Sequence, residues 1–120
     1  MKGKLSDSIR LTHALSSISD IESMMLNISE DEFYANTEKK LAVLKSLEIV
    51  SEALNAVSSE TISLALRPIP LGQIKGFRNL IVHEYFRVDY TQVFVIVKND
   101  LPELKRDLLQ ILSKIENRNT

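Results

Sequence analysis

Arg78-Asn79-Leu80-Ile81-Val82-His83-Glu84-Tyr85 gathers the side chains of this sequence best suited to chemistry near neutral pH. The chain has two histidines and no cysteine, so an imidazole within two helical turns of an arginine, an asparagine and a tyrosine stands out. A guanidinium presents forked donors that match phosphate oxygens. An imidazole titrates near neutrality and can take or give a proton. Together Arg78 and His83 suit cleavage of RNA at its own 2′-hydroxyl: the histidine moves the proton and the arginine stabilises the charged phosphorane. One copy supplies one motif histidine, whereas that reaction uses both an acid and a base. A twofold dimer that brings two motifs together is therefore expected.

Residues four apart share a helix face, which places Asn79 on the face of His83, and as a supporting polar group Asn79 can orient either the arginine or the histidine. Arg78 lies about 100° from Asn79 around the axis. Tyr85, seven residues on, returns to the arginine's side if the helix continues that far. Lys75, Arg78 and Arg87 form a candidate basic rim for an RNA backbone. Plainer readings stand beside these. A histidine at a helix end is more often a cap or dipole partner, and Tyr85-Phe86 is more often core aromatic packing than a functional pair. His13 reads as solvent-facing. Glu48 and Glu52 look like half of a carboxylate metal site, but no Glu-x-x-His segment completes one, so both read as structural. No metal and no cofactor are expected. Lys39-Lys40 and Lys105-Arg106 read as solvated helix faces.

The elements that must position the motif are helical. Leu5, Ile9, Thr12, Leu15, Ile18, Ile21, Met25 and Ile28 recur every three or four positions, predicting an amphipathic helix from Leu5 to Ile28. Ser29 with Glu32 is a capping box that opens a short helix through Phe33 and Tyr34. Leu41, Leu44, Leu47, Val50, Leu54 and Val57 mark a helix from Thr37 to Val57, followed by a shorter piece from Glu60 to Leu66. Arg67-Pro68-Ile69-Pro70 ends that piece. The next helix carries Ile74, Phe77, Ile81 and Val82 into the motif and gives way to a loop at Tyr85 to Val88. Asp89 with Gln92 predicts another capping box. Val93-Phe94-Val95-Ile96-Val97 has strand propensity, but no partner strand is visible elsewhere, so it is read as helix. Asp100-Leu101-Pro102-Glu103 predicts a break or kink with a fresh cap. Leu104, Leu108, Ile111, Leu112 and Ile115 then build the last helix. The expected fold is an all-α, up-and-down bundle of four to five main helices, one domain over residues 1–120.

Composition agrees with that picture. The 120 residues are 44% hydrophobic and 26% charged, the balance of an ordinary globular protein. A chain this long can bury roughly two thirds of its unfolded surface without disulfides or metals. The absence of cysteine excludes disulfide frameworks, thiolate zinc sites and thiol nucleophiles. A net charge of −1 leaves any nucleic-acid binding to a local basic cleft. No run of apolar residues is long enough to span a membrane or form a leader, so a cytoplasmic location is expected.

Arg78-Asn79-x3-His83-x-Tyr85 resembles the signature of HEPN-domain proteins, in particular the HepT-like branch. Leu47-Glu48-Ile49-Val50-Ser51-Glu52-Ala53 resembles that branch's second-helix pattern. The stretch from Gln73 to Asp89 is similar to its centre, and Asn99 to Lys105 to its C-terminal segment. The likeness runs from about Leu5 to Ile115 in the same order. It implies a helical bundle that dimerises with two motifs facing each other in a cleft. It further implies a metal-independent endoribonuclease acting as the toxin of a toxin–antitoxin pair, with Arg78 and His83 catalytic. The partner it implies is a nucleotidyltransferase antitoxin of the MNT type, which transfers AMP from ATP to Tyr85. An anionic group there would block the cleft and repel RNA. Members often carry a tryptophan just before the motif helix; here Leu71 occupies that place, which bears on packing more than on chemistry. The competing reading is a non-catalytic helical module that docks a nucleotidyltransferase or a nucleotide.

Overall fold

Apolar residues spaced by three and four produce helices throughout, and no strand occurs among the residues described by this computed structural model, 4–118, with side chains for 6–117. The helices are α1 (Lys4–Met24), α2 (Glu30–Ala35), α3 (Thr37–Ala56), α4 (Ser59–Ile62), α5 (Leu71–Glu84), α6 (Tyr90–Val95) and α7 (Leu101–Arg118). A 3₁₀ turn, Tyr85–Arg87, follows α5, and a π-helical turn, Ile96–Asp100, joins α6 to α7. This is the all-α bundle that the periodicity predicts. Val93 to Val97 is helical, as expected from the lack of a partner strand.

The core lies where α1 packs along α3 and against α7. Leu11, Ala14, Ile18 and Ile21 of α1 meet Val43, Leu54, Leu108, Ile111 and Ile115 in one buried cluster. Phe33 of α2 is fully buried, with the rings of Tyr34, Tyr90 and Phe94 at 6.2, 6.2 and 6.0 Å. That aromatic group fastens α2 to α6.

Several local expectations need correction. The first helix stops at Met24, because Asn27 adopts the left-handed conformation (φ 58°) that commonly ends helices. Ile28 therefore lies beyond it. Ile9 is half exposed and Thr12 is exposed; the buried stripe instead runs through Asp7, Leu11, Ala14, Ile18 and Ile21. Leu5 lies outside the residues whose side chains are described. α4 is one turn rather than a helix to Leu66. Asp89 caps α6 through the Thr91 amide at 2.9 Å rather than through a box with Gln92. Of the break or kink expected at Asp100, the break does not occur. Leu101 N–H reaches back five residues to the Ile96 carbonyl, so the helix widens before Pro102.

Asp7 is the one buried carboxylate among the described residues. It accepts from Ser58 N–H (3.1 Å), Ser58 Oγ (2.7 Å) and Thr61 Oγ1 (2.6 Å), joining the start of α1 to the corner between α3 and α4. Burial pushes its pKa up, but hydrogen bonds from Thr61 and Ser58 outweigh that and hold it below the usual value.

The segment entering α5 is tied to α7. Arg67 forks onto Asp107 at 3.2 and 3.1 Å, and Lys114 donates to the Leu64 carbonyl at 2.9 Å. From there α5 crosses onto α3. A groove of about 830 Å³ remains between α5 and the α6–α7 segment, lined by Leu47, Ile74, Phe77, Leu80, Ile96 and Leu104 among others.

Candidate functional site

Helix α5 carries the motif and is seated by Ile81, its one buried side chain, with Phe77 and Leu80 partly buried. This leaves Asn79 and His83 exposed on the outer face, while Arg78 is half-buried against α3. The Arg78 guanidinium is held on two sides. Nη2 donates to Glu52 Oε1 of α3 at 3.2 Å, and Nη1 donates to Asn79 Oδ1 at 3.2 Å. Asn79 therefore supports the arginine directly. Glu52 was visible in the sequence only as half of a carboxylate pair; its neighbour Glu48 instead meets Lys45 at 3.5 Å.

A recess of about 280 Å³ opens beside Arg78. Ser51, Glu52 and Asn55 of α3 line one wall, and Lys75 and Arg78 of α5 the other. Of the expected basic rim, Lys75 joins Arg78 here. Arg87 does not line the recess: it sits on the 3₁₀ turn and pairs with Glu84 at 3.1 Å.

His83 lies one helical turn beyond Asn79 and makes no side-chain hydrogen bond or ion pair within the described residues. Just after it Glu84 leaves helical geometry (φ −143°, ψ 49°), and the chain tightens into the 3₁₀ turn. Tyr85 thus does not continue the α5 face. It is 60% exposed beside Phe86, 75% exposed, with ring centroids 6.1 Å apart. Val82, on the other side of His83 in the sequence, is 39% exposed. Tyr90, partly buried behind this turn, has its phenol pKa raised by burial and by the nearby Tyr85. Lys40 sits over the Tyr90 ring at 4.8 Å, and Lys105 pairs with Glu22 at 3.0 Å, so each expected solvated pair contributes one specific contact. His13 is exposed on α1.

Among the described residues no group of three or more His, Asp or Glu side chains is placed to hold a metal ion, and no helix is long and apolar enough to cross a membrane. A half-buried arginine fixed by a carboxylate has the donors to take a phosphate, and the same helix carries an exposed imidazole of the type that moves protons.

Residues 14–111 match the family described as "Ribonuclease HepT-like". The chain belongs to the HepT-like ribonuclease family. It is 32% identical over 99 residues to a "Putative RNase" of Methanocaldococcus jannaschii, covering 82% of this chain and 81% of that protein. A second protein of that organism, also named "Putative RNase", is 31% identical over 104 residues, 87% of this chain and 89% of its own length. A "Probable ribonuclease HepT" of Thermococcus cleftensis is 31% identical over 86 residues, 71% of this chain and 76% of that protein. No solved structure gives a significant match. The matched span of this HepT-like chain takes in α3 and α5, and so every residue of the recess and the motif.

Proposed function

We propose that this HepT-like chain is a metal-independent endoribonuclease that works as a twofold dimer and serves as the toxin of a toxin–antitoxin pair. The observation that carries the reading is a guanidinium oriented by Glu52 and Asn79 on the same helix as an exposed, unpartnered His83. In the reaction, His83 of one protomer takes the proton of an RNA 2′-hydroxyl. The 2′-oxygen attacks the adjacent phosphorus, and Arg78 stabilises the phosphorane. The bond to the 5′-oxygen breaks, and a second histidine, supplied by the other copy, protonates it. The products are a 2′,3′-cyclic phosphate and a free 5′-hydroxyl. Exposed Val82 and Phe86, on either side of His83 in the sequence, support assembly of two motifs at one interface.

Tyr85 is the proposed acceptor of AMP from a nucleotidyltransferase antitoxin of the MNT type. Its phenol stands out on a short turn two residues from His83, accessible to a second protein. A phosphodiester there would add negative charge where RNA must approach. The test is expression of Arg78→Ala and His83→Ala beside the wild type. Loss of RNA cleavage and of growth arrest in both, with folding intact, is expected. Retained cleavage in either would overturn the assignment of that residue.

A further inference from the structure

The recess beside Arg78 has a composition that phosphate binding alone does not require. Its α5 wall presents two cations, Lys75 and Arg78. Its α3 wall presents Ser51, Glu52 and Asn55, with Asn55 four residues from Ser51 and three from Glu52 and so beside both on the helix. Glu52 uses Oε1 to hold Arg78, which leaves Oε2 as an acceptor. Ser51 Oγ already donates to the Glu48 carbonyl at 2.9 Å, so towards the recess it can only accept. Asn55 is exposed, and its amide offers two donors and an acceptor with no partner among the described residues. Arg78 retains three of its five N–H donors.

We infer that this recess is a subsite for one ribonucleotide next to the scissile phosphate, with Lys75 and Arg78 taking a phosphate and Asn55 and Glu52 reading the base edge. The inference rests on the ribonuclease reading above and adds a source of base preference to it. A bare anion would leave the Asn55 carbonyl unused and be repelled by Glu52, while a cation would be repelled by Lys75 and Arg78. A nucleotide satisfies both walls, with its anionic phosphate on α5 and its mixed donor–acceptor base edge on α3. The recess volume, about 280 Å³, lies just below the range of roughly 300–1,000 Å³ for ligand pockets, a size for one nucleotide at most and not for a longer segment.

Two measurements test this together. The first maps RNA ends after cleavage by the wild type, Asn55→Ala and Lys75→Ala. Asn55→Ala is expected to flatten the base preference at one position beside the cut by about tenfold, because an unmatched polar edge is what discriminates bases. Lys75→Ala is expected to slow cleavage of all sequences alike. The second titrates His83→Ala protein with the four nucleoside 3′-monophosphates, following the Asn55 side-chain amide by NMR. A shift that differs between bases is expected, with a smaller one from inorganic phosphate. This arm reads the subsite even if the wild type cleaves no RNA, which would sink only the ribonuclease reading. An unmoved Asn55 amide, an equal shift with inorganic phosphate, or an Asn55→Ala cleavage pattern identical to the wild type would each overturn the subsite.

Discussion

Arg78 of α5 and Glu52 of α3 meet at 3.2 Å across the helix pair, fixing the guanidinium while leaving it half accessible. Glu52 both positions Arg78 and lines the recess. Glu52→Ala should lower kcat by about tenfold through loss of a fixed orientation and weaken the base preference as well, while Glu52→Gln, which keeps an acceptor, should recover most of the rate. Stability should change by less than about 1 kcal/mol, as for other exposed pairs. Steady-state kinetics beside thermal unfolding separates the two effects. Equal rates for all three proteins would mean that α5 alone orients Arg78.

Asp7 supplies a stability prediction. Asp7→Ala strands Ser58 and Thr61 and should cost about 3 kcal/mol. The folded state lowers the carboxyl pKa below 3.8, so it favours the ionised form. That contribution is fully present above pH 3.8 and is lost as pH falls through the lower folded value. The stability gap between wild type and Asp7→Asn should accordingly narrow in urea unfolding below pH 3.8. A gap unchanged between pH 7 and strongly acid solution would contradict the sign.

Phe86 stands 75% exposed next to Tyr85. If this patch joins two copies, Phe86→Glu should turn a dimer into a monomer in sedimentation and reduce cleavage in parallel, with helical content unchanged. A wild type that is monomeric at micromolar concentration yet fully active would rule out the shared acid and base.

Tyr85→Phe tests regulation separately from chemistry. The variant should keep cleaving RNA, since the phenol takes no part in the proposed proton transfers, yet it should resist neutralisation by the nucleotidyltransferase. Intact mass should show an added AMP on the wild type and none on Tyr85→Phe. Equal protection of cells from both proteins would remove Tyr85 as the acceptor.

The helical class was legible because apolar spacing near 3.6 recurs from Leu11 through Ile115. The cap at Ser29 was legible too, since capping boxes are written in adjacent residues. What stayed hidden depends on contacts between distant segments. Asp7 lies off the stripe that the apolar spacing picks out, and its partners lie more than fifty residues away. Ile9 looked like core but faces out, because the buried stripe is rotated toward Asp7. The Arg78–Glu52 bond joins residues whose spacing reveals nothing of how α3 and α5 cross. The motif itself was readable within one helix, while Tyr85 departs from that face because Glu84 ends the helix.

The most direct measurement of the central claim is cleavage of total RNA by the purified chain in excess EDTA, with His83→Ala in parallel and intact mass confirming an unmodified Tyr85. The account predicts cleavage by the wild type alone, leaving 2′,3′-cyclic phosphate ends. Equal cleavage by His83→Ala, or none by a dimeric and unmodified wild type, would contradict it.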